Sequence, residues 1–277
     1  MLDMTSEQME QRILELEEQL KLTSLEVATM KAPGPPSSIK LAIGLPLVDK
    51  LSDTSFWRSF IPVVAQEVSR VIKEAQKAGS VASFELLWPR MPCGKDMDEI
   101  RNSLAMQALE SDCTHIVMMD TDQVYPSDTL TRLIAHAEAG FDIVCAKVHR
   151  RYPPFDPLLL RNDTEKQYRF LTMTIADWYD KGLVEVDATG TGCMMISCKV
   201  FEKVPWPWFK TVKKDISDTE FAIIGEDVGF CQKAKAAGYK IFVDTTIKVG
   251  HLADIVVTEE LHFLFCKMEE LRARKGA

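Results

Sequence analysis

The chain alternates short apolar runs with longer segments of helical periodicity, and this alternation constrains its fold more than any other feature. Apolar runs of strand length occupy residues 39–45, 81–88, 115–119 and 142–147. Segments of helical periodicity occupy residues 56–78, 96–110 and 126–139. Strands that alternate with helices of this length predict βαβ units around a parallel sheet. Because such crossovers are right-handed, the carboxyl ends of the strands share one edge, where ligands bind.

The second half of the sequence is less regular and predicts a mixed sheet. Residues 149–163 are Pro-rich and predict a loop. Residues 184–187 and 193–197 predict antiparallel strands on either side of the sequence Gly190-Thr191-Gly192. A helix over 226–237, a strand over 239–244 and a helix over 258–274 complete the pattern. We therefore expect an α/β fold with a mixed central sheet.

The N-terminal segment has a different pattern from the rest. Over residues 5–31, apolar residues recur at heptad spacing, with Glu, Gln and Lys between them: Met9, Ile13, Leu16, Leu20, Val27 and Met30. This favours a short coiled coil that makes the protein a homo-oligomer, either a dimer or a trimer. The alternative is a helix packed on its own domain. We divide the chain into this helix (1–31), a Pro/Gly/Ser linker (32–38), one main domain (39–257) and a C-terminal helix (258–277).

Composition narrows the functional classes. The 277 residues carry 33 Lys and Arg against 41 Asp and Glu, a net charge of −8. That charge indicates no general affinity for nucleic acid or anionic membranes, although a local basic patch stays open. No apolar run approaches the roughly 18 residues of a membrane span, and the charged N-terminus has no apolar signal core. Together with seven Cys that form no CxxC pair, this leads us to expect a soluble cytoplasmic protein with reduced thiols.

The sharpest chemical feature is a pair of aspartates at the end of a strand. The apolar run 115–119 leads directly into Asp120-Thr121-Asp122. Residues two apart at a strand end point the same way, so their carboxylates can converge on one hard cation, or on a cation and a ribose. Mg²⁺ and Mn²⁺ prefer such oxygen ligands. The alternative is structural, with Asp122 capping the next helix.

Two later motifs also carry chemistry. Glu226 and Asp227 follow Gly225 at the start of a helix. Carboxylates there are stabilised by the helix dipole, and one of them could instead act as a general base. His251 follows Gly250 soon after a strand. It is either structural or a neutral imidazole that completes a metal site begun by two aspartates.

In this order, the motifs resemble the GT-A class of glycosyltransferases, most of all family-2-like enzymes of bacterial and phage type. The resemblance covers residues 39–255, and its most specific part is the sequence GEDVGFCQKAKAAGYKIFVDTTIKVGH at 225–251. It implies a Rossmann-like nucleotide-sugar-binding domain that uses Mn²⁺ or Mg²⁺. The implied reaction moves a sugar from a nucleotide-diphosphate sugar, UDP favoured and GDP possible, to a hydroxyl acceptor. A phage-encoded enzyme of this kind would work in the host cytoplasm.

The resemblance also implies a role for individual residues. Asp120 and Asp122 would form the motif for metal and nucleotide sugar, with His251 as the distal metal ligand. Asp227 would be the catalytic base of an inverting enzyme, with Glu226 beside it. The remaining implied contacts are a glycine loop beside the donor sugar, formed by Gly190, Thr191 and Gly192, and a nucleoside site at Pro46 and Asp49.

Further contacts follow from charge and aromatic character. Arg101 lies near the start of the helix over 96–110, where a phosphate contact is favoured, although a surface ion pair is the alternative. Arg150 and Arg151 could hold phosphates or an anionic acceptor, or could be a solvated cluster. Trp206 and Trp208 could stack on an acceptor, or could form a small core with Phe209. The polar segment 210–221 could close over the donor.

Two other functions remain open at this stage. A nucleotidyltransferase would share the fold and the need for metal, but it normally has a Gly-rich basic loop after the first strand. Residues 44–49 read GLPLVD and contain no such loop. A non-catalytic scaffold or glycan-binding protein would not need the acidic residues that this chain carries. The acceptor itself, whether a glycan, a lipid, a protein or a modified nucleobase, is not specified by these patterns.

Overall fold

The computed structural model describes residues 40–46, 54–78, 96–166, 168–217, 219–253, 258–259, 261–264 and 266–267. The chain divides into two units, Met1–Ser38 and Ile39–Ala277, and every described residue belongs to the second. The predicted coiled coil and linker, the strand over 81–88 and Asp49 lie outside the described residues. Of the predicted C-terminal helix, residues 259, 261–264 and 266–267 are described and are helical.

The described residues form helices and strands in alternation. The helices are α1 (Thr54–Ala78), α2 (Met97–Glu110), α3 (Thr129–Glu138), α4 (Ile175–Trp178), α5 (Cys198–Lys203) and α6 (Glu226–Ala236). The strands are β1 (Leu41–Gly44), β2 (His115–Met119), β3 (Gln123–Val124), β4 (Ile143–Lys147), β5 (Leu160–Asn162), β6 (Phe170–Thr172), β7 (Leu183–Val186), β8 (Cys193–Ser197), β9 (Val212–Asp215), β10 (Phe221–Ile224), β11 (Ile241–Lys248) and β12 (Gly250–His251).

Six of these strands form a mixed central sheet in the order β1-β2-β8-β4-β11-β7. β1 is parallel to β2, and β4 is parallel to β11, whereas β8 runs antiparallel to both β2 and β4. β7 is antiparallel to β11 at the edge. The expected mixed α/β fold is therefore confirmed. Because β8 runs against its neighbours, the residues that precede it lie at the edge where β2 and β4 end.

The central strands are apolar on both faces because helices cover both faces. Successive side chains of β2 alternate between two cores. Ile116 and Met118 pack in the core that contains Leu104 of α2. Val117 and Met119 pack in the core that contains Phe56 of α1 and residues of α3. This layering places α2 on one face of the sheet and α1 with α3 on the other.

The segment predicted as a closing loop contains regular structure. β9 and β10 form an antiparallel hairpin over 212–224, within and just beyond the expected loop. The hairpin exposes Ile216, Phe221 and Ile223. This exposed apolar surface differs from the polar loop that the sequence pattern of 210–221 predicted. Residue 218, which lies between the two strands in sequence, is not described. Across the described helices, none combines the length and apolarity needed to cross a membrane.

Candidate active site

The first aspartate of the pair is fixed to the start of β8 by its backbone. The N–H of Asp120 donates to the carbonyl of Gly192 at 2.9 Å. The hydroxyl of Tyr125 lies 2.6 Å from the carbonyl oxygen of Asp120 and 3.0 Å from that of Gly192. Tyr125 is buried, and its hydroxyl links the end of β2 to the loop before β8. Sequence reasoning missed this residue, because a single tyrosine after a two-residue strand has no distinctive spacing.

Gly192 is required where it lies by the side chains around it. A Cβ at this position would overlap the side-chain amide of Gln123 and would lie 3.1 Å from Oδ2 of Asp120. Gln123 is buried, and its Oε1 has no hydrogen-bond partner among the described residues. The glycine loop thus brings a backbone, a buried amide and a carboxylate together at the sheet edge.

A two-stranded ladder brings His251 to the second aspartate. β12 pairs with β3 so that His251 lies opposite Gln123, and the N–H of Leu252 donates to the carbonyl of Asp122 at 2.8 Å. Nε2 of His251 then lies 3.3 Å from Oδ2 of Asp122. Although 129 residues separate the two, sequence analysis had weighed His251 as a ligand of a metal site begun by the aspartates, and the resemblance implied the same role.

The ring of His251 has a defined tautomer. Its Nδ1 lies 2.7 Å from the carbonyl oxygen of His149, and because a carbonyl only accepts, Nδ1 carries the proton. Burial alone would lower the pKa of His251, but the hydrogen bonds to Asp122 and His149 outweigh it, and the pKa is raised. In its neutral form, the imidazole turns the lone pair of Nε2 towards a carboxylate. The pair is therefore favourable only with a proton or another cation between the two groups.

Asp122 also contacts Arg151, one of the two neighbouring arginines that the sequence suggested as phosphate or acceptor contacts. Nη1 of Arg151 lies 3.0 Å from Oδ2 of Asp122. Burial would raise the pKa of Asp122, but its hydrogen bond with His251 and the charges of His251 and Arg151 hold the pKa below its ordinary value. Arg150 is exposed, and its backbone N–H donates to Asp156. The structure therefore brings Arg151, but not the Arg150 side chain, to the aspartate pair.

Arg101 connects two of the motifs. It projects from α2, is only 4% exposed, and donates from Nη2 to Oδ1 of Asp120 at 3.0 Å and from Nε to Oε1 of Glu226 at 3.4 Å. Burial would lower the pKa of this guanidinium, but the adjacent carboxylates, Asp120 first, outweigh it, and the pKa is raised. Arg101 therefore forms an ion pair, as the alternative interpretation of its sequence position expected. The pair is buried rather than on the surface, and it lies within the candidate site.

One guanidinium nitrogen of Arg101 takes no part in these two ion pairs. Nη1 is buried and has no hydrogen-bond partner among the described residues. An unpaired buried N–H of a charged group costs free energy, about 1–3 kcal/mol or more. Oγ1 of Thr191, in the glycine loop, is buried and unpartnered in the same way. Unsatisfied groups in a site of this kind mark places where a ligand can bind.

Asp227 lies against the glycine loop at the start of α6. Its Oδ1 accepts from the N–H of Val228 at 2.7 Å, and its Oδ2 lies 3.6 Å from where a Cβ on Gly190 would stand. Burial, followed by the negative charge of Glu226, raises the pKa of Asp227 to about 6. Asp122 and Asp227 therefore have pKa values displaced in opposite directions, a pattern found where carboxylates have different chemical roles.

The residues expected to contact the acceptor or the nucleoside differ in their exposure to solvent. Trp208 is 5% exposed, and its indole N–H donates to the carbonyl of Phe201 at 3.0 Å. Phe209 and Phe230 stack beside it in the same core, so Trp208 belongs to the small aromatic core that was the alternative reading. Trp206 is 60% exposed. Pro46 is buried, two residues after the end of β1.

The donor atoms of the site have the right chemistry for a hard divalent ion, although only part of the predicted set is assembled. Asp122 and His251 are in contact, whereas Oδ1 of Asp120 is held by Arg101. In the part of the chain that the structure describes, no three His, Cys, Asp or Glu side chains are grouped so as to hold a metal ion. Two carboxylates and an imidazole nonetheless match the ligands of Mn²⁺, and Nε2 of His251 is the nitrogen that such an ion would use.

Comparison with known proteins gives a structural likeness alone. No protein-family model and no curated protein sequence matches the chain. Among solved structures, the chain is similar to the one titled "Crystal Structure of A197 from STIV", with a TM-score of 0.46 and 18% sequence identity. The match covers 78% of this chain and 87% of that one.

Proposed function

We propose that the chain is a metal-dependent glycosyltransferase of GT-A fold, which transfers a sugar from a nucleotide-diphosphate sugar to a hydroxyl acceptor with inversion. The observation that carries the proposal is the meeting of four distant motifs at one edge of the sheet. Arg101 pairs with Asp120 and Glu226, and the glycine loop lies against both Asp120 and Asp227. The sequence order alone does not require these groups to meet.

In this proposal, Asp227 is the general base. It would accept the proton of the acceptor hydroxyl as that oxygen attacks the anomeric carbon. A general base works best when its pKa lies near the operating pH, and the pKa of Asp227 is raised to about 6. At pH 7 most molecules would then have this carboxylate ionised. Glu226, held by Arg101, contributes the negative charge that raises that pKa.

Arg101 and the glycine loop would bind the donor. The unpartnered Nη1 of Arg101 offers a charged donor to a phosphate or sugar oxygen. The unpartnered hydroxyl of Thr191 offers a second hydrogen bond. Gly190 and Gly192 let other side chains of the protein pack close to this loop, since a Cβ at Gly190 would lie 2.8 Å from Leu158 and one at Gly192 would overlap Gln123. Pro46 and Asp49 remain the proposed nucleoside contacts.

Asp122, His251 and Oδ2 of Asp120 would hold the Mn²⁺ or Mg²⁺ ion. When bound, the ion supplies positive charge to the diphosphate as the glycosidic bond breaks. Arg151, which contacts the same carboxylate oxygen of Asp122 as His251 does, would add positive charge beside those phosphates. Trp206 stays the exposed aromatic candidate for the acceptor, and the coiled coil stays the proposed means of forming an oligomer.

The test is a thermal-shift titration with UDP-, GDP-, TDP- and CMP-sugars, with and without Mn²⁺. Ligands that bind only the native state raise the midpoint. We expect one class of nucleotide to give a metal-dependent shift that Asp122→Ala abolishes. The control is Asp215→Ala, which removes an aspartate that is 80% exposed and pairs with Lys213. The proposal is overturned if no donor shifts the folded wild-type protein.

A further inference from the structure

A groove runs along the outer side of α2, beside the candidate active site. It has a volume of about 500 Å³. Its lining consists of one stripe of α2 and the facing segment 206–210: Asp98, Glu99, Asn102, Ser103, Met106, Gln107, Glu110, Trp206, Pro207, Phe209 and Lys210. These helical positions recur every three or four residues, so they extend along the whole helix, about 18 Å at 1.5 Å per residue.

The wall of the groove that faces α2 is held rigidly. The side chain of Asn102 donates to the carbonyl of Phe209 at 2.7 Å and accepts from the N–H of the same residue at 3.1 Å. The ring of Trp206 meets Trp208 edge to face, with centroids 4.9 Å apart, and Trp208 is itself anchored in the core. Trp206 is thus 60% exposed yet supported from behind. A fixed, exposed indole face is an aromatic binding surface.

The groove also joins the candidate active site through its own residues. Asn102 directly follows Arg101, whose guanidinium reaches Asp120 and Glu226. On the other wall, the carbonyl of Lys210 lies 3.1 Å from the place of a Cβ on Gly229, in the first turns of α6. A ligand in the groove would therefore lie between α2, which carries Arg101, and the segment 206–210, which packs on the helix that carries Asp227.

The distribution of charge selects the kind of ligand. The acids stand at the two ends of the stripe, with Asp98 and Glu99 at one end and Glu110 at the other. The positions between them carry a hydroxyl, a thioether and an amide, from Ser103, Met106 and Gln107. The one basic residue of the lining, Lys210, lies 3.9 Å from Asp98 and is offset by it. This surplus of carboxylates repels phosphate-rich ligands, and its neutral centre has no counter-charge for a basic peptide.

We propose that this groove binds an uncharged oligosaccharide, whose ring faces lie on Trp206 and whose hydroxyls meet the hydroxyl, amide and carboxylate groups of α2. Carboxylates accept hydrogen bonds from hydroxyls, amides both accept and donate them, and the hydrogen bonds to carboxylates are the stronger ones. The proposal of binding stands by itself. That the oligosaccharide is the acceptor rests on the glycosyltransferase function proposed above.

The test starts with an array of uncharged oligosaccharides of glucose, mannose, galactose, xylose and N-acetylhexosamines, with sulfated glycans, polyphosphate and a Lys-rich peptide for comparison. The full chain is applied to the array, and the Kd of each bound oligosaccharide is measured by isothermal titration calorimetry, a readout that does not depend on Trp206. We expect saturable binding to uncharged oligosaccharides only. Trp206→Ala should raise the Kd at least about tenfold, and Gln107→Ala should raise it less.

The matched control is Tyr179→Ala, which removes an aromatic ring that is also 60% exposed but lies outside the groove, and it should leave the Kd unchanged. Absence of binding to uncharged oligosaccharides, preference for polyphosphate or the peptide, or unchanged binding by Trp206→Ala overturns the proposal. The donor thermal shift, measured on the same Trp206→Ala protein, keeps the two proposals separate. Trp206→Ala should keep the donor shift while it loses oligosaccharide binding. Wild-type protein that binds uncharged oligosaccharides but gives no donor shift contradicts the transferase and not the groove.

Discussion

The guanidinium of Arg101 joins Asp120, at the end of β2, to Glu226, at the start of α6, through contacts of 3.0 and 3.4 Å. These residues are 19 and 125 positions away from Arg101 in the sequence. One side chain therefore fixes the relative position of two motifs that have no direct hydrogen bond in the structure. Its third nitrogen, Nη1, remains available for a ligand.

Replacing Arg101 should weaken both the fold and the donor response. Arg101→Ala leaves two partly buried carboxylates without their cation, and we expect a loss of about 2–4 kcal/mol in the free energy of unfolding, measured with urea. Arg101→Lys keeps the charge but not the planar fork, so it should recover part of the stability and little donor binding. The control is Arg169→Ala, whose pair with Asp163 has a half-exposed guanidinium and should cost less than about 1 kcal/mol. Equal losses for the two Ala variants would contradict the bridging role.

Asp227 should make the native state less stable as the pH rises. Its native pKa, about 6, lies above its ordinary value of 3.8, so between these values the native state binds more protons than the unfolded state. Stability therefore falls as the pH rises through this window and stays lower above it. Asp227→Asn keeps the shape and cannot ionise, so it should be about 3 kcal/mol more stable than wild type at pH 8.

The same variant should bind the donor and lose transfer, which product analysis with the identified donor would measure. Its stability gain should vanish near pH 3.5, where the wild-type carboxyl is already protonated. Asp215→Asn, at an exposed aspartate, should show no such pH dependence. Retained turnover in Asp227→Asn would remove this residue as the base.

Divalent metal should stabilise the protein most at alkaline pH. The native pKa of His251 is raised, so its contact with Asp122 contributes fully below the ordinary pKa of 6.5 and is lost as the pH rises through the native value. Above that pH, the neutral imidazole faces a carboxylate without a proton between them. We expect Mn²⁺ to raise the melting temperature more at pH 8 than at pH 5.5, and EDTA to reverse the effect.

The metal effect should depend on these two side chains. Asp122→Asn and His251→Gln should each abolish the Mn²⁺ shift, because each removes a ligand. His262→Gln, at an exposed histidine, should retain it. A Mn²⁺ response that survives in both site variants would place the metal elsewhere.

Gly192→Ala should destabilise the protein through one identifiable overlap. The added methyl group would meet the buried side-chain amide of Gln123 and crowd Oδ2 of Asp120. Overpacking of this kind costs about 1–3 kcal/mol. The second substitution Gln123→Ala makes room, so the double variant should recover part of the unfolding free energy in urea. Additive losses in the double variant would show that the overlap is not the cause.

Removing residues 1–31 tests the predicted coiled coil. The heptad pattern predicts that the shortened chain has a smaller oligomeric mass by light scattering. Its metal-dependent donor shift should be unchanged, because the candidate site lies wholly within the second unit of the chain. An unchanged mass would contradict the coiled coil.

Hydrophobic periodicity alone was sufficient to predict the main helices and the central strands. β2 and β8 have the predicted bounds, and α6 ends one residue earlier than expected. The mixed sheet could be predicted because two short apolar runs flank the glycine loop. Asp120, Asp122, Glu226 and Asp227 could be identified as candidates because carboxylates that directly follow a buried strand or begin a helix are visible in the sequence.

Local sequence pattern determines secondary structure because it acts through neighbouring residues. It does not determine which distant residues come into contact. The tertiary structure alone decided that Arg101 is buried between two carboxylates rather than exposed, and that Trp208 lies in the core while Trp206 faces solvent. It also placed Tyr125 and Gln123 against Gly192. These contacts join residues far apart in sequence, and their energies come from burial and from charges that meet only when α2, the end of β2 and the start of α6 pack together.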